Sequence, residues 1–249
     1  MLKLARFDAI CAEVNQRKFV SLKELMDLTH SSESTIRADL VELDALGRLT
    51  RVRGGATAIN DETISYELSV EDKMGLFADA KRAIAEYAAS LVPDHGFVYI
   101  DAGTSTYYLA DAIHSNGTKF VTNSLTIAKK LKTKGYTVYA IGGEFKLTTD
   151  AFIGAMAAES ISHFIFDAGF FGANGIDLKL GFTTPDYEEA IVKKTAMGQC
   201  QRCYVLVDHS KFGVKTAISF RPFNPHEIIT DKINDKAYQN LGIKEVKTE

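Results

Sequence analysis

Five short polar turns recur along the C-terminal three quarters of this 249-residue chain, each closing an apolar run of strand-like composition. The first, Asp101-Ala102-Gly103-Thr104-Ser105-Thr106, follows GFVYI. Gly103 lets the backbone turn tightly. Thr104, Ser105 and Thr106 offer hydroxyls and backbone N–H groups at a helix start, where anions, phosphate above all, are favoured. Asp101 suits sugar hydroxyls or the holding of a nearby lysine. The second turn is Thr122-Asn123-Ser124, the third Gly142-Gly143-Glu144 and the fourth Gly172-Ala173-Asn174-Gly175. A last one, Asp208-His209-Ser210-Lys211, carries a lysine able to pair with phosphate. Lys193, on the helix after Asp186, is a further candidate cation. Taken singly, each turn reads as a helix cap or a plain turn, and Lys193 and Lys211 as solvated surface. Their repetition at successive strand ends predicts a polar, anion-friendly pocket, because open α/β sheets hold ligands there.

A second constellation lies at Ser31 to Gly55, SSESTIRADLVELDALGRLTRVRGG. Ser32 can cap a helix, with Glu33 at its positive end. Ile36, Leu40, Leu43 and Leu46 recur at helical spacing and predict one buried stripe. Ser34, Thr35, Arg37, Ala38 and Val41 fall largely outside it. Short hydroxyls and an arginine near a helix N-terminus suit phosphate and base-edge contacts. Gly47 stops the helix. A hairpin then carries Arg48, Arg51 and Arg53, with Gly54-Gly55 expected at its tip. This is the pattern of a winged helix-turn-helix, read here as DNA-binding; a helical interaction module fits the same amphipathic helices.

The elements that must position these residues follow from periodicity. Leu4 to Val14 is an amphipathic helix. Ser21 caps a second, with Glu24 three residues on as its capping-box partner, and Thr29-His30-Ser31 turns into the third. Residues 1–58 therefore form the DNA-binding domain, and the polar stretch 59–75 a linker with room for a short helix. Residues 76–249 alternate strands and helices, which implies a largely parallel sheet with helices on both faces. Expected helices are 81–91, 104–113, 124–132, 153–161, 186–199 and 236–241. Expected strands are 96–101, 119–122, 136–141, 164–171, 203–207, 218–220, 227–230 and 243–246.

Composition narrows the classes. A net charge of −3 leaves no global attraction to DNA or membranes, so nucleic-acid binding must come from a local patch. No apolar run reaches membrane-spanning length and the N-terminus lacks a signal-peptide core, so a cytoplasmic protein is expected. Three cysteines make no disulfide framework. Cys200-Gln-Arg-Cys203 has no second pair for zinc and sits at a helix end rather than a helix start, so these cysteines read as structural. No G-x-G-x-x-G follows a strand, and the six histidines lack metal spacing. Neither a cofactor nor a metal is expected.

The N-terminal segment resembles that of the DeoR family of bacterial transcriptional repressors. The family pattern is close to S-E-x-T-I-R-R-D-L, then L-x-x-x-G-x-L-x-R-x-H-G-G-A. Here it runs Ser32-Glu33-Ser34-Thr35-Ile36-Arg37-Ala38-Asp39-Leu40, then Leu43, Gly47, Leu49, Arg51, Arg53, Gly54, Gly55 and Ala56. Ala38 replaces the usual second arginine and Arg53 the usual histidine. The C-terminal region is similar to the family's effector domain. D-x-G-T-T-T matches Asp101 to Thr106, V-T-N-S matches Val121 to Ser124, and G-G matches Gly142-Gly143. F-x-G-A-N-G-I matches Phe170 to Ile176, V-K matches Val192-Lys193, D-x-S-K-F matches Asp208 to Phe212, and I-I-T-D matches Ile228 to Asp231. The resemblance implies a ribose-5-phosphate isomerase/CoA-transferase-like fold, a phosphorylated sugar as inducer, and self-association through this domain. The stretches GFTTPDYEEAIVKK and VDHSKFG look like fructose-operon repressors of Gram-positive bacteria, which implies fructose 1-phosphate.

Three functions compete at this stage: a sugar-phosphate-responsive repressor, a phosphosugar isomerase-like enzyme, and a metabolite sensor with a helical interaction domain. An isomerase needs one tuned general base, and Asp101, Glu144, Asp186 and Asp208 single none out. The repressor is the expected function. A dimer or tetramer would set two recognition helices in successive major grooves of double-stranded operator DNA, with half-sites about a helical turn or a multiple apart.

Overall fold

The computed structural model of the protein describes residues 3–17, 19–45, 48–52, 54–58 and 70–247. The chain divides into two compact units, Met1–Glu62 and Thr63–Glu249.

The first unit runs α1 (Lys3–Arg17), β1 (Phe19–Ser21), α2 (Leu22–Thr29), α3 (Glu33–Ala45), β2 (Thr50–Val52) and β3 (Gly55–Thr57). The capping box forms as its spacing predicts: the Ser21 hydroxyl accepts the Glu24 N–H at 3.3 Å, and the Glu24 carboxylate accepts the Ser21 N–H at 2.8 Å. Between α2 and α3 the chain turns through His30, whose φ of 52° lets its N–H cap α2 at the Met26 carbonyl. Phe7, Ile10 and Val14 from α1, Leu25 from α2 and Ile36, Leu40 and Leu43 from α3 close one apolar core with Leu49. The sheet order is β1-β3-β2. Strand β1 is absent from the sequence reading, because a three-residue strand is visible only through its distant partner: Val20 pairs with Ala56. That pairing also corrects the expected hairpin tip. Gly54 supplies the left-handed turn at φ 81°. Gly55 lies in β3, where a Cβ would stand 2.1 Å from the Val20 carbonyl oxygen, so only glycine admits β1 there. Leu46, Gly47, Arg53 and residues 59–69 of the expected linker lie outside the described residues.

The second unit begins with α4 (Val70–Met74) and α5 (Ala78–Ala89). It continues β4 (Phe97–Ile100), α6 (Thr104–Ala112), β5 (Lys119–Thr122), α7 (Leu125–Thr133), β6 (Thr137–Ala140), β7 (Glu144–Lys146), β8 (Ala151–Ile153) and α8 (Gly154–Ser162). Then come β9 (Ala168–Phe171), β10 (Gly175–Asp177), β11 (Gly181–Thr184), α9 (Tyr187–Gly198), β12 (Cys203–Leu206), β13 (Ile218–Arg221), β14 (Ile228–Thr230) and β15 (Lys244–Glu245). Seven strands form one parallel sheet in the order β15-β14-β12-β9-β4-β5-β6. Alternate residues feed two cores. Val98, Ile100, Phe120 and Phe170 pack with Ile84, Leu109 and Ile127 of α5, α6 and α7 on one face. Tyr99, Val121, Phe171 and Val205 pack on the other face with Ala157 of α8, Ala190 and Met197 of α9, and Ile176, Phe182 and Phe220.

Those last three belong to an antiparallel sheet, β10-β11-β13, of which the sequence reading holds only the 218–220 strand; β10, β11 and the β7–β8 hairpin are missing from it. The missing strands have three or four residues, too short to show a period. Helix 236–241 is reduced to a 3₁₀ turn at Lys236–Tyr238, and strand 164–171 begins only at Ala168. The Cys200 and Cys203 thiols donate to the Ala196 and Met197 carbonyls at 3.1 and 3.5 Å, in the last turn of α9. Among the described residues no helix is long and apolar enough to cross a membrane.

Candidate functional site

Helix α3 buries Ile36, Asp39, Leu40 and Leu43 and leaves Ser32, Ser34, Arg37, Ala38 and Val41 exposed. Its angle is set by a residue the sequence reading passed over: Arg6 of α1 grips both oxygens of buried Asp39, Nη2 reaching Oδ1 at 3.0 Å and Nε meeting Oδ2. Ser32 caps α3 through the Thr35 N–H at 3.3 Å and shares its hydroxyl with Ser34 and Thr35. Arg37 lies along the helix against Glu33, Nε to Oε1 2.8 Å, with 63% of its side chain exposed. Arg48 pairs with Asp8 of α1 at 2.8 Å, both side chains exposed. Arg51 extends from β2, with its N–H on Asp44 at 3.1 Å. Arg53 lies outside the described residues.

In the second unit a cleft of about 890 Å³, counting its open mouth, lies at the carboxyl ends of β4, β5, β9 and β12. Its floor is an ion pair. The Lys193 ammonium meets Asp101 Oδ2 directly and the Gly172 carbonyl at 3.3 Å, and the Gly172 N–H donates to the same Oδ2 at 3.1 Å. Both residues are buried, Asp101 to 1% and Lys193 to 5% exposure. Burial pushes the Asp101 carboxyl above its usual range, against the opposing charge and hydrogen bond of Lys193 and the N–H groups of Gly172 and Ala102. Beside this pair, α6 begins at Gly103, which has no side chain to cap the first helical N–H groups. Such N–H groups mark the positive end of a helix, where anions are favoured.

Three more lysines, Lys73, Lys81 and Lys211, line the cleft, and Lys81 and Lys211 stand by the buried Asp208. Burial raises the Asp208 carboxyl, but Lys211, the Ser210 hydroxyl, Lys81 and the Ser210 N–H together leave it below its usual range. Lys81 donates to the Lys73 carbonyl at 2.6 Å, and Tyr108 to that of Met74 at 3.2 Å, which pins α4 against the cleft. Burial chiefly lowers Lys81 to about 8, with Asp208 opposing and Lys211 and Lys73 adding to the fall. Lys73 and Lys81 escaped the sequence reading. The signal for Lys81 was present: it shares the stripe of Ile84, Ala85 and Ala88 on α5, where a lysine has no packing reason to be.

Of the candidate effector residues, Asp101, Gly103, Thr104, Ser105, Asn123, Gly172, Asn174, Lys193, Asp208 and Lys211 line the cleft. Thr106, Thr122, Ser124, Gly142 and Gly143 do not. Thr106 donates to the Gly103 carbonyl at 2.9 Å, Thr122 accepts the Ser124 N–H at 3.1 Å, and Ser124 caps α7. Their polar atoms serve the turns themselves. Gly143 lies against Ile153 and Ala157, where a Cβ would meet the Ile153 carbonyl at 2.9 Å. Asn123 does both jobs: its Oδ1 accepts from Tyr99 and the Ala102 N–H, at 3.0 and 2.9 Å, joining β4 to β5 below the cleft. Among the described residues no group of histidine, cysteine or acidic side chains could hold a metal.

A winged helix-turn-helix unit joined to an α/β unit with a lysine-lined cleft defines a ligand-responsive transcriptional regulator. The chain matches the DeoR-like helix-turn-helix domain over residues 6–62 and the DeoR C terminal sensor domain over residues 77–232. It belongs to the DeoR family. It is 36% identical over 247 residues, 99% of this chain and 98% of the relative, to a protein of Bacillus subtilis (strain 168) described as "Uncharacterized HTH-type transcriptional regulator FruR". It is 34% identical over 223 residues, 88% of each chain, to a lactose phosphotransferase system repressor of Staphylococcus epidermidis. The solved ribose 5-phosphate isomerase A of Neisseria gonorrhoeae aligns over 54% of this chain and 53% of its own, at 16% identity and a TM-score of 0.40. That likeness is too distant to inform function.

Proposed function

We propose that this chain is a cytoplasmic repressor of a sugar-utilisation operon, released from DNA by a phosphorylated sugar bound in the cleft of its second unit. It acts as a homo-oligomer, so that two α3 helices engage two half-sites of an operator. Ser34, Thr35, Arg37 and Ala38 face the major groove, and Arg51 and Arg53 serve the wing. The single observation that carries the ligand class is the gathering of Lys73, Lys81 and Lys211 beside the uncapped start of α6. Ammonium groups and orphan N–H donors together select a phosphate-sized anion. Asp101 and the amide of Asn174 suit sugar hydroxyls. The relatives' printed names, a lactose phosphotransferase system repressor among them, support the same class.

The ligand can release DNA only by binding the two states of the protein unequally, and coupling of about 1–3 kcal/mol is typical. The test is fluorescence anisotropy on labelled DNA from upstream of the protein's own gene, repeated with fructose 1-phosphate, fructose 6-phosphate and tagatose phosphates. Specific binding that one sugar phosphate abolishes is the expected result. Specific binding that none alters would discard the ligand class. Binding no better than to random DNA, with isomerase turnover of the same sugars, would favour the enzyme.

A pH dependence follows from Lys81. The free protein holds this lysine near 8, and an anion stabilises its charged form. Affinity for the sugar phosphate should therefore fall as pH rises through about 8, and binding near that pH should take up a proton. Calorimetry in two buffers of different ionisation enthalpy reads the uptake directly; none would remove Lys81 from the anion site. The sign for the free protein is opposite. Unfolded Lys81 keeps its proton up to about 10.5, so this group makes the fold more stable as pH rises from about 8 to 10.5.

A further inference from the structure

Asp186-Tyr187-Glu188-Glu189 has the spacing of a capping box, and half of one forms: Asp186 Oδ1 accepts the Glu189 N–H at 3.0 Å. The Glu189 carboxylate is turned into the wall of the cleft instead. Its Oε1 accepts from Thr149 Oγ1 at 2.8 Å and from Lys146 Nζ at 2.9 Å, and its Oε2 from Thr184 Oγ1 at 3.4 Å. Lys146 also binds Asp186 at 2.9 Å. Glu189 is 7% exposed and stands one helical turn before Lys193.

The sheet order places this wall away from the lysines. Asp208 and Lys211 follow β12, whereas Thr149 precedes β8, which is tied to β5 by the Phe152 N–H on the Asn123 carbonyl at 2.7 Å. Between β12 and β5 lie β9 and β4, three steps of about 4.8 Å. The cleft is thus polarised: lysines around Asp208 at one end, Glu189 with its threonines at the other, and the Asp101–Lys193 pair between.

We propose that Glu189 is a specificity-determining residue of this cleft. It accepts hydrogen bonds from hydroxyls of the sugar and repels a second phosphate, so that the ligand is a monophosphate lying with its phosphate on the lysines. The assignment rests on the sugar-phosphate reading of the cleft. A carboxylate accepts from hydroxyls through several lone pairs, and at protein-like dielectric it disfavours a neighbouring phosphate by about tenfold or more.

The test uses the full chain and isothermal titration calorimetry with inorganic phosphate, fructose 1-phosphate and fructose 1,6-bisphosphate. For Glu189→Gln, affinity for inorganic phosphate should stay within about threefold, and fructose 1-phosphate should weaken. The preference for monophosphate over bisphosphate should shrink about tenfold. Lys146→Gln removes the cation nearest Glu189 and should move that preference the opposite way, which keeps the test decisive if Glu189→Gln folds poorly. An unchanged preference in both variants, or equal weakening of all three probes, would overturn the assignment while leaving the cleft an anion site. A wild-type chain that binds none of the probes would overturn the sugar-phosphate reading and this assignment with it.

Discussion

Lys193→Met should be the most damaging single change in the second unit, lowering stability by about 3–5 kcal/mol near neutral pH. The loss is the cost of leaving Asp101 charged, 1% exposed and without its ammonium partner. The pH dependence identifies the cause. Without Lys193, two of the four contributions that hold Asp101 down are gone, leaving only the N–H groups of Gly172 and Ala102 against burial, and its carboxyl rises further. A carboxyl with a raised native pKa costs nothing where it is protonated in both states. The penalty should therefore be absent at or below the ordinary carboxylate range and grow as pH rises through the native pKa. Urea denaturation across that range checks this. A cost that does not change with pH would mean that lost packing, not an orphaned charge, is responsible. The paired change Asp101→Leu with Lys193→Met should recover most of the stability, because an apolar pair of similar volume replaces a buried ion pair at little cost. That double variant should still bind operator DNA and no longer respond to ligand.

Arg37→Ala should weaken operator binding by about 1–3 kcal/mol, roughly 5- to 150-fold, if Arg37 reads a base edge. Its bond to Glu33 does not argue against this, since exposed ion pairs of this kind are worth about 0–1 kcal/mol and are readily exchanged for DNA. The loss should vary with operator sequence. A uniform loss across sequences, with a salt dependence shallower by about one counterion, would reassign Arg37 to a phosphate. Unchanged affinity would take it out of the interface.

Much of this protein is legible along the chain. The capping box at Ser21 and Glu24, the Ile36-Leu40-Leu43 stripe and the strand-end turns are local features. Each is written within about two helical turns, so spacing alone exposes it. What escaped depends on distant partners. Strand β1 exists because β3 pairs with it, and Gly55 is needed for the same reason. Arg6 is an unremarkable charge on α1 until Asp39 arrives from 33 residues away. Polar strand ends look alike in sequence, yet Thr122 and Ser124 spend their hydrogen bonds on a turn, while Thr104 and Ser105 reach the cleft.

By itself the sequence determined the helix-turn-helix, the alternation of strands and helices, and the family, since these rest on short-range periodicity and ordered motifs. Tertiary structure alone decided which polar groups share a site. Lys73 and Lys81, Glu189 and Lys211 come from three separate stretches of the chain, and only the order of the parallel strands brings them to one cleft. There, desolvation and mutual charge assign roles that no spacing encodes: lysines for an anion at one end, a buried carboxylate at the other.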